Sequence, residues 1–110
     1  AACRAAPERE IVVVHGTDTM TQTAALIGGA GLDKTVVFTG ALIPYSVHGS
    51  DSLFNLGFAL AAAQLLPHGV FVAMNGNAFA WNAVRKNRAL GIFESTTPPA
   101  NPSLEVEHSL

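Results

Sequence analysis

Ten consecutive residues, Ile11-Val12-Val13-Val14-His15-Gly16-Thr17-Asp18-Thr19-Met20, constrain this chain more than any others. Four aliphatic residues run without a break into a histidine, a glycine, a hydroxyl, a carboxylate and a second hydroxyl. A short apolar run rich in valine is the pattern of a strand buried in a parallel sheet. The residues after it read as a helix start, because Thr19 with Gln22 three residues later fits a capping box. A strand that stops at Gly16 and turns directly into a helix puts Thr17 and Asp18 at the carboxyl end of a sheet. That is the edge at which open α/β folds bind ligands.

Two more short β-branched runs, Thr35–Thr39 and Gly69–Met74, repeat the pattern. Between the first two runs the sequence predicts a helix from about Thr19 to Ile27. Met20, Ala24 and Ile27 share one face of it, and Gly28, Gly29 and Gly31 end it. A longer helix is predicted from Ser50 or Asp51, either of which can cap it, to Leu66, with Pro67 as the stop. It is apolar on most sides, which calls for cover by the sheet and by a second subunit. Alternating strands and helices with short links predict a mainly parallel sheet and right-handed crossovers. The expected fold class is therefore α/β: a three-layer α/β/α domain around a Rossmann-like open sheet. Parallel strands end on one edge, so segments 15–19, 39–50 and 74–87 converge. Thr17, Asp18, Tyr45, Ser46, His48, Asn75, Asn77, Arg85 and Lys86 can then share one crevice.

The 110 residues make one domain or a piece of one, with residues 1–95 as the domain, and 49% are hydrophobic, ample for a core. Residues 96–110, with Pro98, Pro99 and Pro102, read as a linker or disordered tail. Residues 1–6 look like the last turns of a helix broken by Pro7, so the chain reads as a fragment without its first strand. A net charge of −2 gives no argument for nucleic acid or an anionic membrane. No apolar run approaches the roughly 20 residues needed to span a bilayer. The single Cys3 excludes an internal disulfide and a multi-cysteine metal site, and it fits a reducing, cytoplasmic setting. The four histidines show no metal-site spacing, so no metal is expected.

Thr17 and Asp18 could simply serve a helix start. Thr19 already supplies the cap, however, which leaves the pair in excess of structural need. An alcohol beside a carboxylate is also what an amidase requires. Gly16 lets a ligand approach the backbone. His15 reads first as a buried imidazole bonded to the neighbouring strand, with general base as the alternative, and His48 reads as a solvated loop residue. Lys86, within Val84-Arg85-Lys86-Asn87-Arg88, is either part of a solvated basic turn or a desolvated base beside Asp18. The residues alone leave both open. Gly28-Gly29-Ala30-Gly31 follows a helix and is no phosphate loop. Trp81 is expected to pack over the loop edge.

His15-Gly16-Thr17-Asp18-Thr19-Met20 resembles the second signature of the L-asparaginase family. Val37-Phe38-Thr39-Gly40-Ala41 followed by Pro44, Asp51-Ser52-Leu53-Phe54-Asn55-Leu56, and Gly69 to Asn75 are similar to later family segments in the same order. The tract Trp81 to Arg88 looks closer to the compact single-domain members. The resemblance implies a threonine–lysine–aspartate arrangement with Thr17, Asp18 and Lys86 as catalytic residues. It also implies that Gly16, Thr17 and Asp18 bind substrate, with Asp18 on its α-amino group. The lysine sits one residue out of the family's K-x-N register, so Arg85 competes for that position. The implied reaction is hydrolysis of L-asparagine, and possibly glutamine, to the acid and ammonia through a threonine-based acyl-enzyme. It needs no cofactor, and the expected form is a homo-oligomer, dimer or tetramer. The family's T-G-G-T loop with its nucleophilic threonine has no match in this chain, so the chain alone is expected to have little or no activity. The alternatives are an amidase subunit of a tRNA-dependent amidotransferase and a non-catalytic amino-acid-binding or scaffold module.

Overall fold

The computed structural model describes residues 8–42 and 50–96. Strand β1 (Glu10–Val14) leads to helix α1 (Met20–Gly28), strand β2 (Thr35–Thr39), helix α2 (Ser52–Leu65) and strand β3 (Gly69–Met74). Three short strands come next: β4 (Asn77–Ala80), β5 (Val84–Asn87) and β6 (Ile92–Ser95). The main sheet runs β1-β2-β3-β4, while β5 and β6 form a separate hairpin. β1 pairs with β2 and β2 with β3 in parallel, with Val12 opposite Val37 and Val37 opposite Phe71. β4 returns antiparallel to β3 through a turn at Asn75 and Gly76. The parallel sheet and both helices follow the expected pattern. The last three strands exceed it.

Side-chain alternation divides the core between two faces. Val36, Phe38, Val70, Val72 and Met74 face Met20 and Ala24 of α1, together with Val84 and Phe93 of the hairpin. Val37 and Ala73 face Ala59 and Ala63 of α2. The sheet is therefore the middle of three layers. Both crossovers step the same way, from β1 to β2 to β3, yet their helices lie on opposite faces. Two right-handed crossovers would put both helices on one face. The two connections are thus of opposite hand, and one departs from the right-handed expectation. α1 is the displaced helix: it sits against β3 and β5, whereas α2 covers β1, β2 and β3.

The expected caps take a different form. Thr19 is the N-cap residue of α1 but makes no side-chain cap bond, at φ −120° and ψ 10°. That ψ lies outside the extended region in which a cap side chain reaches the first turn. Gln22 accepts instead from the Thr21 hydroxyl at 3.2 Å, so the capping box is not formed. Asp51 precedes α2, again without a side-chain cap bond. Ser50 Oγ accepts the Ser52 N–H at 3.2 Å, and the Asp51 carboxylate reaches across the loops. Trp81 packs onto Gly28 at the end of α1, where an added Cβ would run into the indole ring. α1 thus closes on a glycine for lack of space.

Asn55, fully buried, ties the carboxyl edge of the sheet together. Its Nδ2 donates to Gly40 O at 2.8 Å and to Asp51 Oδ2 at 2.9 Å, and its Oδ1 accepts from Asn75 N at 2.8 Å. Asp51 Oδ2 also accepts from Leu42 N and from Asn75 Nδ2, at 3.2 and 3.0 Å. Asn55→Leu keeps the branched outline of the side chain but leaves buried partners unpaired, at roughly 1–3 kcal/mol for each. The expected outcome is a lower urea midpoint at unchanged m-value, by about 3 kcal/mol in total. Gly28→Ala should also destabilise, by about 1–3 kcal/mol from overpacking against Trp81, less the gain in helix propensity. The same unfolding curves check it.

Candidate active site

Thr17 and Asp18 lie in the turn between β1 and α1, at the carboxyl edge of the sheet. Lys86 reaches them from β5. The period of a strand sets Lys86 on the same face as buried Val84 and turns Arg85 to the other. Only 14% of the Lys86 side chain is exposed. Its ammonium donates to Thr17 Oγ1 and to Asp18 Oδ1, both at 2.9 Å. The three residues named from the sequence therefore meet at one nitrogen, across 69 and 68 positions of chain. Arg85 goes elsewhere: its Nε and Nη2 each donate to Glu94 Oε1 at 2.6 Å, across the β5–β6 pair.

Arg88 joins this cluster although sequence reasoning assigns it no role. Its Nη1 donates to Asp18 Oδ1 and its Nη2 to the Asp18 carbonyl oxygen, both at 2.9 Å. A signal for it exists in the pattern: Arg88 directly follows β5, two positions after Lys86, so the strand's alternation carried one step further turns it to the Lys86 side. Asp18 is 78% exposed, so its carboxylate meets two cations in water rather than in a core. The hydrogen bond from Lys86, then that from Arg88, hold its carboxyl below the ordinary value of 3.8.

The rest of the expected crevice is distributed differently. Asn75 serves the Asp51–Asn55 network and Asn77 begins β4. Tyr45, Ser46 and His48 lie outside the described residues. His15 is half-buried and does not bond the neighbouring strand through its ring. Its Nδ1 bonds the Gly16 carbonyl at 2.7 Å and its Nε2 the Thr23 hydroxyl at 3.0 Å. The strand contact is made by its backbone instead, from His15 N to Thr39 O at 2.8 Å. The imidazole thus braces the 16–18 turn against α1, because the chain has already left the sheet plane at Gly16. A Cβ at Gly16 would meet nothing within 4 Å, so that backbone is open to approach. On the α2 side of β1, an apolar pocket of about 250 Å³ is lined by residues such as Val14, Gly40, Ser52 and Leu56. Among the described residues no three metal-ligating side chains cluster, and no helix is long and apolar enough to cross a membrane.

The sequence and the fold have counterparts in known proteins. Residues 4–109 match the family profile described as "Asparaginase, N-terminal". L-asparaginase 1 of Escherichia coli (strain K12) is 35% identical over 97 residues, which cover 86% of this chain and 29% of that protein. The glutamyl-tRNA(Gln) amidotransferase of Aeropyrum pernix has a subunit that is 40% identical over 70 residues, 60% of this chain and 16% of that protein. Among solved structures, the thermostable L-asparaginase from Thermococcus kodakarensis superposes with a TM-score of 0.77 at 30% identity. That superposition covers 84% of this chain and 30% of that one. The chain spans about three-tenths of the length of these asparaginases. Its parallel sheet, its H-G-T-D-T turn and the family profile along nearly its whole length agree: the chain belongs to the asparaginase family, as its N-terminal domain.

Proposed function

We propose that this domain carries the Thr17–Lys86–Asp18 part of a site that hydrolyses the side-chain amide of a small amino-acid-like substrate, with L-asparagine the first candidate. The observation that supports it most is the largely buried Lys86 ammonium held between a hydroxyl and a carboxylate. In the charged form Nζ donates to Thr17 Oγ1. Once neutral, the same nitrogen can accept the Thr17 proton, and Asp18 then stabilises the ammonium that forms. An alcohol adds to the amide carbon, the C–N bond breaks and ammonia leaves with a proton. Water then cleaves the resulting ester to the carboxylate and restores the alcohol. Thr17 is either the attacking alcohol or the group that activates that water. Backbone N–H groups would hold the oxyanion, and the chemistry draws on no cofactor. A further threonine, in the T-G-G-T loop that the resemblance implies, would complete the site from outside these 110 residues.

A second reading, the amidase subunit of a tRNA-dependent amidotransferase, is supported by the likeness to the Aeropyrum pernix subunit. A co-purifying second subunit would favour it over free amide hydrolysis. In either case α2 leaves Leu53, Phe54 and Leu60 in solvent, which supports a shared surface in a homo-oligomer or a complex.

Two measurements on the 110-residue chain test the main reading. L-aspartate should perturb the backbone amide signals of Gly16, Thr17, Asp18 and Lys86 at millimolar concentration, and Lys86→Met should weaken that response about tenfold or more. No response at these residues would sink the reading. Ammonia release from L-asparagine should stay at background; release that Thr17→Ala abolishes would show instead that the chain holds a whole site.

A carbon-13 titration of the Asp18 carboxyl gives the pH dependence. Its midpoint should fall below 3.8 and move up in Lys86→Met. Because the folded value is the lower one, the stabilisation is complete above the unfolded value and is lost as pH falls through the folded one.

A further inference from the structure

The turn between β3 and β4 is Asn75-Gly76, and Asn75 is the only one of the six asparagines in the chain that a glycine follows. In that dipeptide a main-chain nitrogen can attack the side-chain amide of the residue before it, because no Cβ crowds the ring that closes. Both residues are exposed, with φ of 50° and 86°, the positive values that a two-residue hairpin turn requires. Met74 pairs with Asn77 across the turn, and the Gly76 N–H has no acceptor among the described residues. The Asn75 amide, by contrast, is held. Its Nδ2 donates to Asp51 Oδ2 at 3.0 Å and to Asn55 Oδ1 at 3.4 Å, and Asn55 Oδ1 also accepts from Asn75 N at 2.8 Å. A free nucleophile and a tethered amide thus sit side by side, with a carboxylate against the amide nitrogen.

We propose that Asn75-Gly76 is a site of spontaneous covalent modification, where the chain converts its own asparagine to aspartate and isoaspartate, and that Asp51 restrains the reaction in the folded state. The Gly76 nitrogen gives its proton to hydroxide and adds to the Asn75 side-chain carbonyl carbon. The N–Cγ bond forms, the Cγ–Nδ2 bond breaks, and ammonia leaves with a proton from water. Water then opens the cyclic imide at either carbonyl, which yields aspartate, or isoaspartate with the main chain rerouted through the side chain. Water is consumed and ammonia released. No substrate takes part, and the amide-hydrolase reading is not drawn on. Ring closure pulls the amide off Asp51 and Asn55, so those bonds oppose it. The addition step also carries negative charge, which the Asp51 carboxylate repels. At about 4 Å in a water-rich setting one like charge slows such a step about three- to tenfold. The product places a carboxylate where Nδ2 donated to Asp51, so a bond that ties the β3–β4 turn to α2 becomes a repulsion.

The 110-residue chain can be incubated in mildly alkaline buffer, folded or in urea, and its peptides followed by mass spectrometry. The signal is the mass gain of an amide-to-acid exchange, with aspartate and isoaspartate separated by chromatography. In urea Asn75 should convert ahead of the other five asparagines and give both products, and Gly76→Ala should slow it several-fold there, where folding plays no part. In the folded chain Asn75 should convert more slowly than in urea, by at least about threefold. Asp51→Ser removes the charge but keeps a helix-capping residue, and it should speed the folded reaction by at least about threefold. Asp33→Ser removes a carboxylate at the opposite sheet edge and should leave the rate unchanged. Unaltered amide signals away from the turn show that each variant is folded. Asn75→Asp, which installs one product directly, should lower the urea midpoint. No conversion at Asn75 in either state, or a folded chain that converts as fast as the unfolded one, overturns the proposal. A folded Asp51→Ser chain with the unaltered rate also overturns it. The comparison of folded and unfolded chain needs no variant, so it decides the matter even if Asp51→Ser does not fold.

Discussion

One buried carboxamide holds the carboxyl edge of this sheet together. A parallel sheet sends every strand end into a loop on the same side, and each loop arrives with backbone groups that need partners. Asn55 answers two of these at once, the Gly40 carbonyl after β2 and the Asn75 N–H after β3, while itself anchored in the first turn of α2. Its position also accounts for the turn after β3. Asn75 has φ 50°, a left-handed conformation that asparagine tolerates better than most residues. Asp51 extends the same network to Leu42. Moving α2 along the sheet would break several of these bonds together, so the helix, two loops and the sheet edge form one unit.

Much of this was legible in the sequence, for reasons that can be named. β2 and β3 announce themselves because strands buried on both faces read as unbroken β-branched runs, and β2 is buried along its whole length. β1 carries the same kind of run although it is the edge strand of this sheet and only partly buried, with Val14 largely exposed. Both helices were bounded to within a residue or two by glycine, proline and apolar spacing. β4 was hidden because Asn77-Ala78-Phe79-Ala80 is too short to show a period. β5 was hidden because Arg85, Lys86 and Arg88 crowd it with cations, and charge runs normally mark solvated turns. Its alternation is nonetheless intact, with Val84 and Lys86 inward and Arg85 outward. The caps went the other way. Thr19 and Asp51 have the right chemistry at the right positions, but backbone geometry at one and the loop network at the other redirect their side chains.

The opposite hands of the two crossovers were not legible at all. Handedness depends on which face a helix chooses, and a short apolar stripe such as Met20, Ala24 and Ile27 fits either face. The hairpin of β5 and β6 provides the missing reason for the choice. Val84 and Phe93 extend the core on the α1 side, so α1 packs in a trough made by the main sheet and the hairpin together. The same trough brings Lys86 beside the 16–18 turn. The meeting of Thr17, Asp18 and Lys86 is thus a product of the hairpin as much as of the parallel sheet.

The two polar clusters at this edge differ in how much of their bonding capacity is spent. On the α2 side, each described contact of Asn55 and Asp51 ends on a group of the protein itself, and the network has the closed character of a structural brace. On the α1 side, the Lys86 ammonium has three hydrogens and two partners among the described residues, and Asp18 Oδ2 has none. Exposed ion pairs contribute little to folding, so stability alone is a poor reason to gather two cations on one solvent-facing carboxylate. Such a cluster offers unspent valence to a ligand. The H-G-T-D-T turn supplies the oxygens. The cations stand on β5 and just beyond it, with Lys86 69 positions from Thr17, and they reach the turn only because the hairpin folds back against α1. That return gathers the turn and both cations into one cluster.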